Sequence, residues 1–215
     1  MNEISSYTYS NSKSFDDTIR DFYKGFSELN IQVDNLNTSE ENELINQFLH
    51  FPSLKKYDKI SLIYTCKFHN SQNLSNLALV TFNYEDVSIG AHGPTVIKNV
   101  FCELIGITSL NYEIGHVLIT PETVVEKLIE FINPVEVDFD ENKKFSSRYY
   151  VLASDEKKLR ENINLKLLEQ INKHKGLYIE ITNKLVLIRT LKPVDTDSIR
   201  PIVELIEDIN KTGKR

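Results

Sequence analysis

Glu85 and Asp86, followed by His92 and then by Glu103 and His116, are the residues of this chain whose types could do chemistry. Two carboxylates and a histidine can share a divalent metal, or pass a proton to and from a substrate. The reaction would be a metal-assisted hydrolysis, with Glu85, Asp86, His92 and His116 as ligands or base. A plainer reading competes with it. Glu85-Asp86 can open a solvated turn, and His92 can be a loop residue ahead of Gly93-Pro94. The spacing matches no established ligand pattern, so the turn carries more weight. The expectation is no bound metal and no cofactor.

A second candidate is a binding surface at Arg148, Tyr149 and Tyr150. Tyrosine and arginine are favoured where proteins meet. Two successive tyrosines in a strand put one ring toward the core and the other outward or against a second layer. The commoner fate of such a ring is to cover a helix. Other signatures are missing: no G-x-x-x-x-G-K-[ST], no G-x-G-x-x-G after a strand, no H-E-x-x-H and no G-x-S-x-G. Cys66 and Cys102 each sit in an apolar run and lack a second ligand at C-x-x-C spacing. Two buried thiols are expected there, with a single bridge left open and zinc poorly supported.

Those candidates must be held by strands and helices, and apolar spacing says which. Phe15 to Leu29 places Ile19, Phe22, Tyr23, Phe26 and Leu29 on one helical face. Thr38 and Glu41 fit a capping box that opens a helix through Leu49, closed by Pro52. The period then changes to strands at Ile60–Phe68, Leu77–Tyr84, Val96–Ile107 and Gly115–Ile119, with a loop at Gly90–Pro94. Pro121 introduces a helix to Asn133. Val135, Val137 and Phe139 alternate with acidic residues, and 141–144 is a charged turn.

Phe145 to Ile209 is the most sharply patterned stretch. A strand at Arg148–Leu152 leads to a helix capped by Ser154, whose stripe is Leu159, Ile163, Leu167 and Ile171, ended at Gly176. Leu177, Ile179 and Ile181 then alternate with Tyr178, Glu180 and Thr182. Asn183-Lys184 turns the chain into Leu185–Ile188, a turn that asks Lys184 for a positive φ. A last helix begins at Asp197 or Ser198, with Pro201 in its first turn.

Taken together, Phe48-Leu49-His50-Phe51, Leu79-Val80-Thr81-Phe82-Asn83-Tyr84, Leu118-Ile119-Thr120-Pro121-Glu122, Val137-Asp138-Phe139-Asp140, Phe145-Ser146-Ser147-Arg148-Tyr149-Tyr150 leading into Ser154-Asp155-Glu156, and Tyr178-Ile179-Glu180-Ile181 stand in a telling order. The chain resembles a group of bacterial conserved proteins of unknown function, many with transmembrane helices ahead of a soluble part. The resemblance spans roughly Phe48 to Ile209 and rests on packing motifs. It implies a shared fold and offers no catalytic residues to carry over. The membrane helices of that group have no counterpart in this sequence.

Composition narrows the classes. Of 215 residues, 40% are hydrophobic and 26% charged, which is the balance of a globular chain with a core. A net charge of −6, with lysines in scattered pairs, argues against nucleic acid as a partner. No apolar run approaches the ~20 residues that span a bilayer. Abundant Asn, Lys and Ile match AT-rich bacterial genomes. The expected fold is α+β: N-terminal helices and an antiparallel β-meander, then a strand-helix-hairpin-helix module. Its expected parts are a disordered tail at 1–14, a helical and meander half at 15–140, and a β-α-β-β-α half at 141–215 that can share one core. The expected function is a non-enzymatic interaction module of the bacterial cytoplasm with a protein partner. The alternatives are the metal-assisted hydrolase using the 85–94 loop and an acidic, immunity-like protein that neutralises a basic partner.

Overall fold

Alternating apolar residues build one ten-stranded sheet, and amphipathic helices cover it from both faces. The structure is a computed structural model that describes residues 7–9, 15–29, 33–68, 75–90, 93–121, 135–190 and 192–212. In chain order the elements are β1 (Tyr7–Tyr9), α1 (Phe15–Glu28), β2 (Val33–Asn35), α2 (Thr38–Phe48), β3 (Lys59–Phe68), β4 (Asn76–Gly90) and β5 (Gly93–Ser109). Then come β6 (His116–Pro121), β7 (Val135–Glu136), α3 (Lys143–Ser146), β8 (Tyr149–Ala153), α4 (Glu156–Asn162), α5 (Leu165–Lys173), β9 (Leu177–Thr182), β10 (Leu185–Thr190) and α6 (Thr196–Thr212).

The sheet runs β2-β3-β4-β5-β10-β9-β6-β8-β7, and β1 lies parallel beside β5. Every other pairing is antiparallel. The fold is α+β, with N-terminal helices, the β3-β4-β5 meander and the strand-helix-hairpin-helix module in that order. Strands from before and after residue 140 interleave in the sheet. β1 falls within the segment expected to be a tail.

Strand alternation sorts the residues between two layers. On one face Leu77, Leu79, Leu104, Val117, Ile119, Val151, Ile179, Ile181, Val186 and Ile188 meet α1, α4, α5 and α6. On the other, Ala78, Val80, Phe82, Ile105, Ile107 and Leu187 meet Leu44 and Phe48 of α2, with Phe51 and Leu54 beyond it. α6 lies so close to β5 that a methyl on Gly106 would stand 2.5 Å from Ile202 Cγ2. No helix among the described residues is long and apolar enough to cross a membrane.

Several local expectations shift in the structure. α2 is capped by Asn37, one residue earlier than the Thr38 box. Asn37 Oδ1 accepts from the N–H of Ser39 and Glu40 at 3.0 and 3.1 Å, while Glu40 Oε2 accepts from Asn37 N–H at 2.9 Å. The single helix expected after Ser154 is two helices. Asp155 caps α4, and Ile163 turns extended, with ψ 132°, before Asn164 caps α5. In the β9–β10 turn the positive φ falls on Asn183, at 57°, and not on Lys184. Asn183 is the better host, because its short polar side chain tolerates that region. Pro201 lies in the sixth position of α6, past the first turn. Pro121 closes β6 opposite Tyr149, and the helix expected at 121–133 otherwise lies outside the described residues.

Candidate functional site

The ladder registers bring a polar layer into the sheet face that α2 and Pro52–Leu54 cover. β9 against β10 sets Tyr178 beside Arg189 and Glu180 beside Leu187. β9 against β6 sets Glu180 beside Leu118 and Thr182 beside His116. β10 against β5 sets Arg189 beside Ile105, so Glu103 follows two residues along on the same face. Glu103, Arg189, Tyr178, Glu180 and His116 thus share one side of the sheet.

One ion pair and one histidine–carboxylate hydrogen bond organise that layer. Arg189 donates from Nε and Nη2 to Glu103 Oε2, at 2.9 and 2.6 Å, with the Tyr57 hydroxyl 3.5 Å from Nη2. The guanidinium also lies over the rings of Phe82 and Tyr178, 5.6 and 5.5 Å from their centroids. Burial alone would make that charge costly, but Glu103 and Tyr57 outweigh it and raise the arginine's pKa. The second pair is His116 Nε2 with Glu180 Oε1, 3.0 Å apart, and the Ser53 N–H reaches the same oxygen at 3.4 Å. Glu180 is 0% exposed, and its Oε2 has no hydrogen-bond partner among the described residues. Burial likewise raises the pKa of the Tyr178 and Tyr57 hydroxyls, so both stay neutral. Chemically the layer is a charge lock, with its donors and acceptors largely turned on one another.

The carboxylate–histidine cluster that the sequence offered as a candidate, behind the plainer turn, is not assembled among the described residues. Glu85 and Asp86 belong to β4, which continues to Gly90 and pairs with β5 to form a long ribbon. Within the expected loop, Glu85–Gly90 and Gly93–Pro94 are therefore strand, and 91–92 lie outside the described residues. Glu85 faces Lys98 across the ladder, 3.4 Å from its Nζ, and its own N–H donates to Asp58 Oδ2 at 2.9 Å. Asp86 holds the register position opposite Ile97. His92 lies outside the described residues. Glu103 is five residues from Lys98 along β5, roughly 17 Å at a strand's ~3.3 Å per residue, and it serves Arg189. His116 serves Glu180. Among the described residues no three His, Cys, Asp or Glu groups come together as metal ligands.

The ribbon has another property. β3 stops pairing with β4 at Asn83, and β10 stops pairing with β5 at Ile105. Past those points, β1 is the strand that pairs with this ribbon among the described residues. Val87 stands opposite Val96 and Ile89 opposite Pro94, so these four share a face with Glu85 and Lys98. Val87, Ile89 and Val96 are 59%, 85% and 43% exposed. That face continues the side of the sheet on which α1, α4, α5 and α6 pack.

Arg148, Tyr149 and Tyr150 are placed by the module. Arg148 Nη1 donates to the Asn172 carbonyl and its Oδ1, at 3.2 and 3.0 Å, which secures the last turn of α5. Tyr149 is buried, stacks on Phe145 and donates its hydroxyl to the His174 carbonyl. Burial pushes that hydroxyl up to about 12. Tyr150 is half-buried against Leu118, Leu152 and Tyr178. An open cleft of about 400 Å³ lies beside Arg148, lined by Asn142, Lys144, Leu165, Glu169, Asn172 and Lys173. Cys66 and Cys102 are buried free thiols, each pushed up to about 12 by burial. β4 separates them: Cys66 pairs with Leu77, and Cys102 with Thr81.

Glu180 and Arg189 are the residues that sequence reasoning passed over. Alternation assigns Glu180 to the polar face of β9, and a polar face is ordinarily wet. The signal that it is not wet lies in Leu187 and Leu118, which flank Glu180 on the neighbouring strands.

No protein-family model matches this chain, and no curated protein matches it. Among solved structures, the crystal structure of the mycobacterial trehalose monomycolate transport factor A, TtfA, is similar with a TM-score of 0.49 and 7% identity. The likeness covers 90% of this chain and 94% of that one. A likeness that loose says nothing of what either chain binds.

Proposed function

We propose that this protein is a non-enzymatic interaction module of the bacterial cytoplasm that engages a protein partner through the apolar face of the β4–β5 ribbon. The observation that carries the reading is the set Val87, Ile89 and Val96, exposed together on two strands that run past their neighbours. Large apolar side chains grouped on a projecting element cost solubility unless something covers them. Glu85 and Lys98 flank the patch and supply a charged border, as the rim of a docking site does. The buried Arg189 is spent on Glu103, which supports binding over catalysis.

The test is comparative capture from native cells, with wild-type and Ile89→Asp chains as bait and mass spectrometry as readout. A protein partner held by wild type should fall at least tenfold with Ile89→Asp, while both chains melt alike. Equal capture by the two baits, or none by either, would overturn the reading.

A further inference from the structure

One face of the ribbon is made by six residues: Glu85, Val87 and Ile89 on β4, with Lys98, Val96 and Pro94 opposite them on β5. All of them are exposed. Tyr23, Leu49, Ile63, Val135 and Leu165 are exposed as well, but each stands on a different segment of the chain. On the ribbon, Val87, Ile89 and Val96 share one side of a single pair of strands.

Charge decides what can lie on that face. Glu85 and Lys98 cancel each other, and Val87, Ile89, Pro94 and Val96 carry no charge, so the face is neutral. The chain as a whole carries −6, and its other surfaces together hold that entire excess. A second copy bears the same excess and is repelled wherever those surfaces meet. Over the ribbon it meets no net charge. The face is also its own complement. In a two-fold contact one patch serves both partners, so it must accept what it offers. Here apolar side chains meet apolar side chains, and each acidic border residue has a basic one available on the other copy. A flat strand face also suits another strand face, because alternate side chains from the two fill the space between them.

We propose that the partner seated on the ribbon is a second copy of this chain, held face to face through Val87, Ile89, Pro94 and Val96, with Glu85 and Lys98 at the border. This rests on the reading of the ribbon as the docking element, and it names the occupant. A stable interface of standard size engages about 20–30 residues a side, so a contact built on the ribbon face alone is weak and forms only as concentration rises.

The experiment is sedimentation equilibrium on full-length chains from micromolar to millimolar concentration. Wild type is expected to pass from monomer to dimer over that range. Ile89→Asp should weaken the dimer about tenfold or more, because its contact would bury unpaired carboxylates. Glu85→Lys leaves two lysines and no carboxylate at the border, and Lys98→Glu leaves two carboxylates and no lysine. Each alone should dimerise about two- to fivefold more weakly than wild type, the range that exposed charge pairs command. An equal mixture of those two chains should associate more tightly than either one by itself. All the substituted positions are exposed, so the variants should melt with wild type, and the mixture reports on the contact whatever either variant loses alone. A wild-type chain that stays monomeric throughout overturns the proposal. So does a dimer indifferent to Ile89→Asp, or a mixture no tighter than its parents. Capture from native cells separates this proposal from the docking face. If wild type stays monomeric while Ile89→Asp abolishes capture of a different protein, the face stands and the second copy falls.

Discussion

Arg189 is held by Glu103, Tyr57 and the rings of Phe82 and Tyr178, and that environment sets what its loss would cost. Removing one partner of a buried ion pair strands the other charge, at a cost of about 3–5 kcal/mol. Glu103→Ala should destabilise the fold by about that amount in urea melts. The double change Glu103→Leu with Arg189→Met should recover most of it, because an apolar pair strands no charge. A double variant as unstable as the single one would show that the pair itself carries the stability. His174 makes a second prediction. Burial holds its imidazole below the ordinary histidine range, against the pull of Glu204 and Asp208, and Lys173 adds to the lowering. Nδ1 lies 3.5 Å from Glu204 Oε2, and Nε2 lies 4.0 Å from Asp208 Oδ2. Unfolded, the same ring takes its proton near ~6.5. Between the two values the unfolded chain binds more protons, so stability rises with pH there. The ring's contribution is present above the unfolded value and is lost as pH falls through the folded one. Melting temperatures between pH 7.5 and 5 should fall more steeply for wild type than for His174→Gln, and parallel slopes would refute this. At this scale sequence was least informative. Tyr149 could be read as a packing ring from its place in a strand, but Glu180 could not be read as buried. Its burial depends on Leu118 and on the turn at Ser53, which come from other parts of the chain.

Helices and strands were far more legible, because each carries its own period. α1, β3 and β9 stand within a residue or so of where apolar spacing puts them, and β10 starts where expected and runs two residues further. The misses have local causes. Leu159, Ile163, Leu167 and Ile171 keep a spacing of four, which suits one unbroken helix. Asn164 nevertheless accepts from the Lys166 N–H at 2.9 Å and restarts the chain as a second helix. β4 reaches Gly90 because Glu85 and Asp86, poor strand formers taken alone, have β5 to pair with. α6 gives the prediction at this scale. Asp195 caps it, accepting from Ser198 N–H at 2.9 Å, and the first intrahelical bond runs from Ile199 N–H to the Asp195 carbonyl. Pro201 comes two residues later, so it removes the bond that the Asp197 carbonyl would receive, and its ring crowds that carbonyl. Pro201→Ala should therefore raise stability by about 1 kcal/mol or more in thermal or urea melts. An unchanged or lower midpoint would mean that α6 is already bent to suit the proline.

For the whole molecule, class and element order could be read from the chain, while strand order could not. The meander follows from neighbouring strands that pair with one another. The β5-β10 and β9-β6 pairings join segments about sixty to eighty residues apart, and no local pattern encodes that choice. The placement of β9 and β10 bears on how the molecule is made. During synthesis, β5 and β6 leave the ribosome long before the hairpin that fits between them. Until residue 190 emerges, two apolar strands wait with bare edges, and the sheet cannot close from one end to the other. Contacts of such long sequence separation slow folding, and exposed edges invite pairing with other chains. The C-terminal hairpin is thus the keystone of the sheet, and a nascent chain that stalls before it is the form of this protein most in need of a chaperone.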